Sequence, residues 1–296
     1  MRRYIYFVFL LCCAVNLLLT SCVRQKYVVM DMVHHNPGEA MTESKFLDPS
    51  FLKKNEYGAK VFFLFEAAQF GIDWKSFDPS LFPDTTEAGR WVAEKAEIIH
   101  KKYDAAKKED LQVYCMLDML VLPSLLVEKH RTELTNEQGK LDISKPYTQL
   151  CIRELMKEMF ETFPQLDGLV IRTGETYLHD APYYVGNHPV QNGMYDHITL
   201  INLLREEVCE RRNKKLFYRT WDMGQLHSIP KYYLSVTDSI EPHPNLYFSI
   251  KHTMTDFWRS AITDPDMNYN TMDKYWLEES GQYGVPFKDR KSTRLN

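Results

Sequence analysis

Two carboxylates with basic neighbours are the first groups in this sequence placed to do chemistry. Glu175 follows Arg172 in Leu166–Asp180, and Asp256 follows Lys251 after the apolar run Leu246–Ile250. Cleaving a glycosidic bond needs such a pair: one carboxyl held protonated for the leaving oxygen, and a second carboxylate to activate water or attack the anomeric carbon. Arg172, Arg219 and Lys251 suit an anionic group on a substrate, since guanidinium and ammonium groups bind carboxylates through charge-assisted hydrogen bonds. Tyr177 and Trp221 add aromatic faces close by, and Glu66 and Asp118 add further carboxylates after two other apolar runs. The competing reading is that the same acids and bases form structural ion pairs where strands leave the core.

Other chemistries find less support. His179, Asp180 and His188 are close in sequence but lack HExxH or His-x-His spacing, so they read as polar loop residues and no metal site is expected. No GxSxG elbow is present, and Cys115 lies inside an apolar run, where a thiol packs as a small apolar group. After the first apolar run comes Glu66-Ala67-Ala68-Gln69-Phe70-Gly71, which is not a glycine-rich phosphate loop. No cofactor is implied.

The elements that must position these residues follow from periodicity. Lys60–Phe65, Gln112–Leu117, Leu169–Ile171, Leu216–Tyr218 and Leu246–Ile250 read as buried strands. Between them lie helical patterns at Trp91–Ala106, Pro146 to about Phe163, Gly193–Arg212 and Pro230–Ser239, with a βα excursion at Pro123–Gly139. Asp84-Thr85-Thr86-Glu87 gives a helix start, and Pro146 suits a first helical turn. Strands alternating with helices predict a parallel sheet. Every strand exits onto polar groups: Glu66, Asp118, Arg172 with Glu175, Arg219 with Asp222, and Lys251 with Asp256. A (β/α)8 barrel gathers its site at that face. The expected class is therefore α/β, a (β/α)8 TIM barrel truncated after about five strands. An open doubly wound sheet is the alternative.

Both ends read differently from the middle. Residues 1–21 have the layout of an export signal, with Arg2 and Arg3 before an apolar stretch, and Leu19-Thr20-Ser21-Cys22 resembles a bacterial lipobox. Cys22 is then the lipidated amino terminus of an exported protein, anchored to a bacterial membrane on its periplasmic or surface face. Residues 22–45 would be a polar linker and 46–288 the partial catalytic-type barrel. Asp289–Asn296 matches the in-frame translation of a common sequencing adapter, GAT CGG AAG AGC ACA CGT CTG AAC, so the biological sequence is expected to break off near Lys288. Without Arg2, Arg3 and those eight residues the net charge moves from −4 to −8, which argues against a nucleic-acid partner. Cys115, Cys151 and Cys209 then remain, an odd and scattered set that reads as buried thiols.

From about Lys60 onward the segment order resembles the catalytic barrel of family 67 α-glucuronidases. Leu166–Tyr183 is similar to the family's strand that carries the general acid, Phe217–Asp222 to its arginine-bearing strand, and Phe248–Trp258 to the next, with lysine and Asp-Phe in register. The resemblance implies that Glu175 is the acid and Asp256 a base-side carboxylate of an inverting mechanism. It makes Lys251 and Arg219 ligands of a uronate carboxylate, with Arg172 standing where the family has lysine. Arg172 and Glu175 are one residue closer than in the family, and the second base-side glutamate would lie on a strand past Lys288. The expected function is that of a glycoside hydrolase-like protein acting on a glycan, and the resemblance implies that the glycan bears a uronate. The alternative is a non-catalytic glycan-binding lipoprotein on the same barrel. An unclosed barrel leaves a sheet edge bare, so the 296-residue chain itself is expected to be inactive.

Overall fold

The computed structural model describes residues 30–31, 44–63, 66–173, 176, 178, 180–219, 226 and 229–249. Six strands form one parallel sheet: β1 (Met30–Asp31), β2 (Ala59–Phe62), β3 (Gln112–Asp118), β5 (Gly168–Arg172), β7 (Lys215–Arg219) and β8 (Leu246–Ser249). Two short strands, β4 (Val121–Pro123) and β6 (Tyr184–Gly186), pair antiparallel in a separate ladder. The connecting helices are α1 (Pro49–Lys54), α2 (Glu87–Lys108), α3 (Ser124–Lys129), α4 (Arg131–Leu134), α5 (Pro146–Thr162), α6 (Met194–Leu204) and α7 (Pro230–Thr237).

Strand order in the sheet is β1-β2-β3-β5-β7-β8, the order of the chain with no reversal. A doubly wound sheet reverses at a switch point and carries helices on both faces. Here the two faces differ. Phe62, Val113, Cys115, Leu117, Leu169, Ile171, Leu216 and Tyr218 join the large core shared with the helices. The alternate residues Ala59, Val61, Tyr114, Met116, Val170 and Phe217 form their own cluster, built from strand residues alone, with Met30, Phe63 and Tyr247 packed against it. Helices outside, strand side chains inside and sequential winding are the barrel arrangement. The described residues form a six-stranded arc of it, one strand more than expected. The extra strand, β1, lies inside the stretch read as a linker, where Tyr27-Val28-Val29-Met30 carries the apolar character that the adjoining charges disguised.

The helices form where composition places them. Thr86 caps α2 by accepting a hydrogen bond from Gly89 N at 3.0 Å, and Val92, Ile99, Tyr103 and Ala106 bury one stripe. Pro146 occupies the first turn of α5, whose buried face includes Cys151, Ile152, Leu155, Met156 and Met159. The expected single helix over Gly193–Arg212 divides instead: α6 ends at Leu204 and Arg205–Glu210 is π-helical, with Arg211 N donating to Glu206 O at 2.9 Å. Cys115, Cys151 and Cys209 are buried free thiols, and burial pushes each up to about 12. Among the described residues no helix is long and apolar enough to cross a membrane.

Candidate functional site

Side chains alternate across a strand, so the inward set that begins at Tyr114, Val170 and Phe217 ends at Asp118, Arg172 and Arg219. Asp118 and Arg172 are directly paired in register. Arg172 grips the Asp118 carboxylate with two donors: Nη2 to Oδ2 at 2.6 Å, and Nε to Oδ1. Side-chain exposure is 9% for Asp118 and 15% for Arg172, so this bidentate pair is largely removed from water.

One strand further, Arg219 reaches back over the sheet, its Nη1 3.5 Å from Met116 Sδ. Among the described residues no carboxylate lies within ion-pair distance of it. Burial depresses its pKa first and the Arg172 charge second, while Asp118 opposes both. The three charged groups therefore carry one net positive charge at the carboxyl end of the sheet.

Beneath them the interior is aromatic. Tyr114 meets Phe217 edge-on at 5.3 Å, and Phe217 stacks on Tyr247 at 4.8 Å. This layer fixes the height at which the charged groups sit. A cleft opens at the same end, lined by Phe63, Ala67, Gln69, Phe70, Met116, Asp118 and Arg172. The β4–β6 ladder ties together the loops that leave Asp118 and Arg172, reinforced by Leu120 N to Asn187 O at 2.8 Å and the return bond at 3.0 Å. The Met119–Leu120 peptide in the first of those loops is cis.

The structure thus brings Asp118, Arg172 and Arg219 together. Glu66 does not join them: its carboxylate pairs with Lys102 of α2, and its backbone carbonyl accepts from Tyr103 Oη at 2.9 Å. Glu175, Tyr177, Trp221, Lys251, Asp256, the lipidation candidate Cys22 and the adapter-like Asp289–Asn296 lie outside the described residues. His188 is held in its loop by accepting from Val190 N at 2.8 Å, and Asp180 is exposed. Among the described residues no cluster of three or more His, Cys, Asp or Glu is placed to hold a metal ion.

Sequence reasoning passed over Gln69, Met116, Phe63 and Phe70. Gln69 lies in a 3-10 turn, Ala68–Gly71, and is 3% exposed. The signal for it was a lone amide between Ala67-Ala68 and Phe70, in the loop leaving the second strand.

No family model and no curated protein matches the chain. Among solved structures it is similar to dispersin B (12% identity, TM-score 0.43), over 88% of this chain and 70% of that one. It is similar also to a glycoside hydrolase family 5 enzyme from Prevotella bryantii B14 (11% identity, TM-score 0.43), over 88% and 74%. A third likeness is to a GH138 enzyme targeting pectin rhamnogalacturonan II (13% identity, TM-score 0.41), over 76% of this chain and 25% of that one. The functional reading is built on the site's own residues.

Proposed function

We propose that this chain belongs to an exported glycoside hydrolase-like protein whose barrel mouth binds a glycan through a uronate carboxylate. One observation carries the reading. Arg219 is a partly buried guanidinium whose described surroundings offer a thioether and another cation but no carboxylate in contact. A buried charge is costly unless paired. A ligand carboxylate arriving over Arg219 would neutralise the cleft, and the bidentate geometry of guanidinium fits it. Arg172, already held by Asp118, would border the same anion, and Lys251 would complete the set. Phe63 and Phe70 supply the apolar walls against which a sugar ring packs, with Tyr177 and Trp221 beside them.

In this reading Glu175 donates a proton to the glycosidic oxygen. Asp256, with a further carboxylate on a following strand, draws a proton from the water that attacks the anomeric carbon on the opposite face. No cofactor takes part. Lipid on Cys22 would hold the protein at a bacterial membrane.

One observation favours a second reading, a non-catalytic glycan-binding lipoprotein. Both described strand-end carboxylates are engaged in ion pairs, Glu66 with Lys102 and Asp118 with Arg172. Hydrolysis therefore rests on Glu175 and Asp256. Calorimetry of the full-length protein with glucuronate-terminated oligosaccharides and their methyl esters tests the shared claim. Binding of the free acid should exceed that of the ester at least tenfold, and Arg219→Met should erase the difference; equal binding of acid and ester refutes the uronate. Glu175→Gln and Asp256→Asn should each abolish hydrolysis and keep binding, whereas a wild type that binds without turnover selects the second reading.

A further inference from the structure

Gln69 has no place in the chemistry above, yet it lines the same cleft as Asp118 and Arg172. Its side chain is buried at 3% exposure, and its Oε1 has no hydrogen-bond partner. Leaving a buried amide oxygen unpaired is unfavourable, and such groups usually answer to a partner that arrives later or to a bound water. The cleft that Gln69 lines holds apolar groups, Ala67, Phe70, Phe63 and Met116, together with the charged pair Asp118 and Arg172, so a water or a ligand hydroxyl entering it meets polar partners.

The local fold holds Gln69 in place. The 3-10 turn that carries it is buried throughout, Ala68 N donates to Cys115 Sγ at 3.1 Å, and Tyr184 Oη donates to Gln69's own carbonyl at 3.4 Å. Phe70 is fixed by edge-on contact with Tyr184 at 5.1 Å. The amide is therefore presented from a buried turn, with an acceptor unpaired among the described residues that a hydroxyl or amine donor entering the cleft can satisfy. Glycans are dense in hydroxyl donors. The charged end of the cleft selects an anion, while an amide between apolar walls can distinguish a hydroxyl from a hydrogen at one ring position.

We propose that Gln69 is a specificity residue that accepts a hydrogen bond from one hydroxyl of the bound sugar, in the cleft bounded by Asp118 and Arg172. This rests on the glycan-binding reading, and the test separates the two. Full-length wild type, Gln69→Leu and Gln69→Met are titrated calorimetrically with a glucuronate-terminated disaccharide and its single-deoxy analogues, and thermal melts are recorded for each protein.

The expected result is a loss of about tenfold or more in affinity for the parent sugar in both variants. One deoxy analogue should bind wild type as weakly as it binds the variants, which identifies the hydroxyl read. Melting temperatures should stay level or rise, because an unpaired buried acceptor has been removed; a structural glutamine would instead give lower melting temperatures. If wild type binds the disaccharide and both variants bind it equally well, the assignment of Gln69 is wrong and the glycan reading stands. If wild type binds none of the sugars, both fall. A variant that melts lower and loses all sugars alike, with no single hydroxyl singled out, also overturns the specificity role.

Discussion

Asp118 is attracted to two guanidiniums, Arg172 beside it and Arg219 one strand further, and replacing it should hurt far more than replacing its partner. In Asp118→Asn the shape is kept and the charge removed, which leaves Arg172 and Arg219 facing each other without a carboxylate. Breaking one side of a buried pair typically costs about 3–5 kcal/mol. Arg219 lies two strands from Asp118, about 10 Å by strand spacing, where an effective dielectric of about 20 adds about 1.7 kcal/mol of lost attraction. In Arg172→Met the pair is also lost, but so is the repulsion between Arg172 and Arg219. At one strand spacing, about 5 Å, that repulsion is about 3 kcal/mol with the same dielectric. The expected losses are then about 5–7 kcal/mol for Asp118→Asn and about 0–2 kcal/mol for Arg172→Met. For a chain of this size that corresponds to falls of about 10–28 °C and at most about 8 °C in Tm. Urea denaturation of wild type and the two variants, side by side, reads the difference. Equal losses within about 0.5 kcal/mol, or a larger loss for Arg172→Met, would show that Arg219 does not couple to the pair and would refute the charge count at the site.

Two further perturbations probe the frame around the cleft. His197 is buried with its Nδ1 2.7 Å from Tyr218 Oη, Tyr232 edge-on to its ring, and His188 close enough to disfavour its charge; burial first, then His188, lowers its pKa to about 3. The unfolded chain binds this proton near the ordinary value of about 6.5, so its contribution to stability is complete above that pH and is lost as pH falls toward about 3. His197→Gln should flatten that part of the pH–stability curve by up to one proton, and an unchanged slope would count against a neutral buried imidazole. Gly168 stands opposite Lys215 on the inner face, where an added Cβ would lie 2.1 Å from the Lys215 carbonyl oxygen. Gly168→Ala should push β5 from β7 and cost about 1–3 kcal/mol or more; a variant as stable as wild type in urea would mean that the two strands can part freely.

How much was legible in the sequence depends on what each residue's partner is. β3, β5, β7 and β8 were readable because a strand buried on both faces is a continuous apolar run, and its last residue is where charge becomes tolerable. That logic found Asp118, Arg172 and Arg219. It placed Glu66 with them only because a strand end does not reveal which way its carboxylate turns, and Lys102 on α2 decided that. β4 and β6 escaped notice since three residues make a strand only through the ladder they share. β1 was hidden by the signal-like run before it. The π-helical turn after α6 keeps the same apolar spacing as an α-helix, so periodicity could not separate them. Gln69 was in view as part of a loop that fails to cradle phosphate, but its lack of a partner is a property of packing.

The sequential order of the strands has a bearing on how the site comes into being. Because neighbours in space are neighbours in the chain, Asp118, Arg172 and Arg219 emerge during synthesis in the order in which their strands lie in the sheet. Domains form from the amino terminus as the chain is made, so the Asp118–Arg172 pair can close while β7 is still being translated. Among the described residues, Asp118 and Arg172 then balance each other's charge. Arg219, on the strand added next, brings a further positive charge to that end of the sheet. A truncation upstream of β7 would therefore keep the Asp118–Arg172 pair and remove the extra positive charge that Arg219 brings beside it.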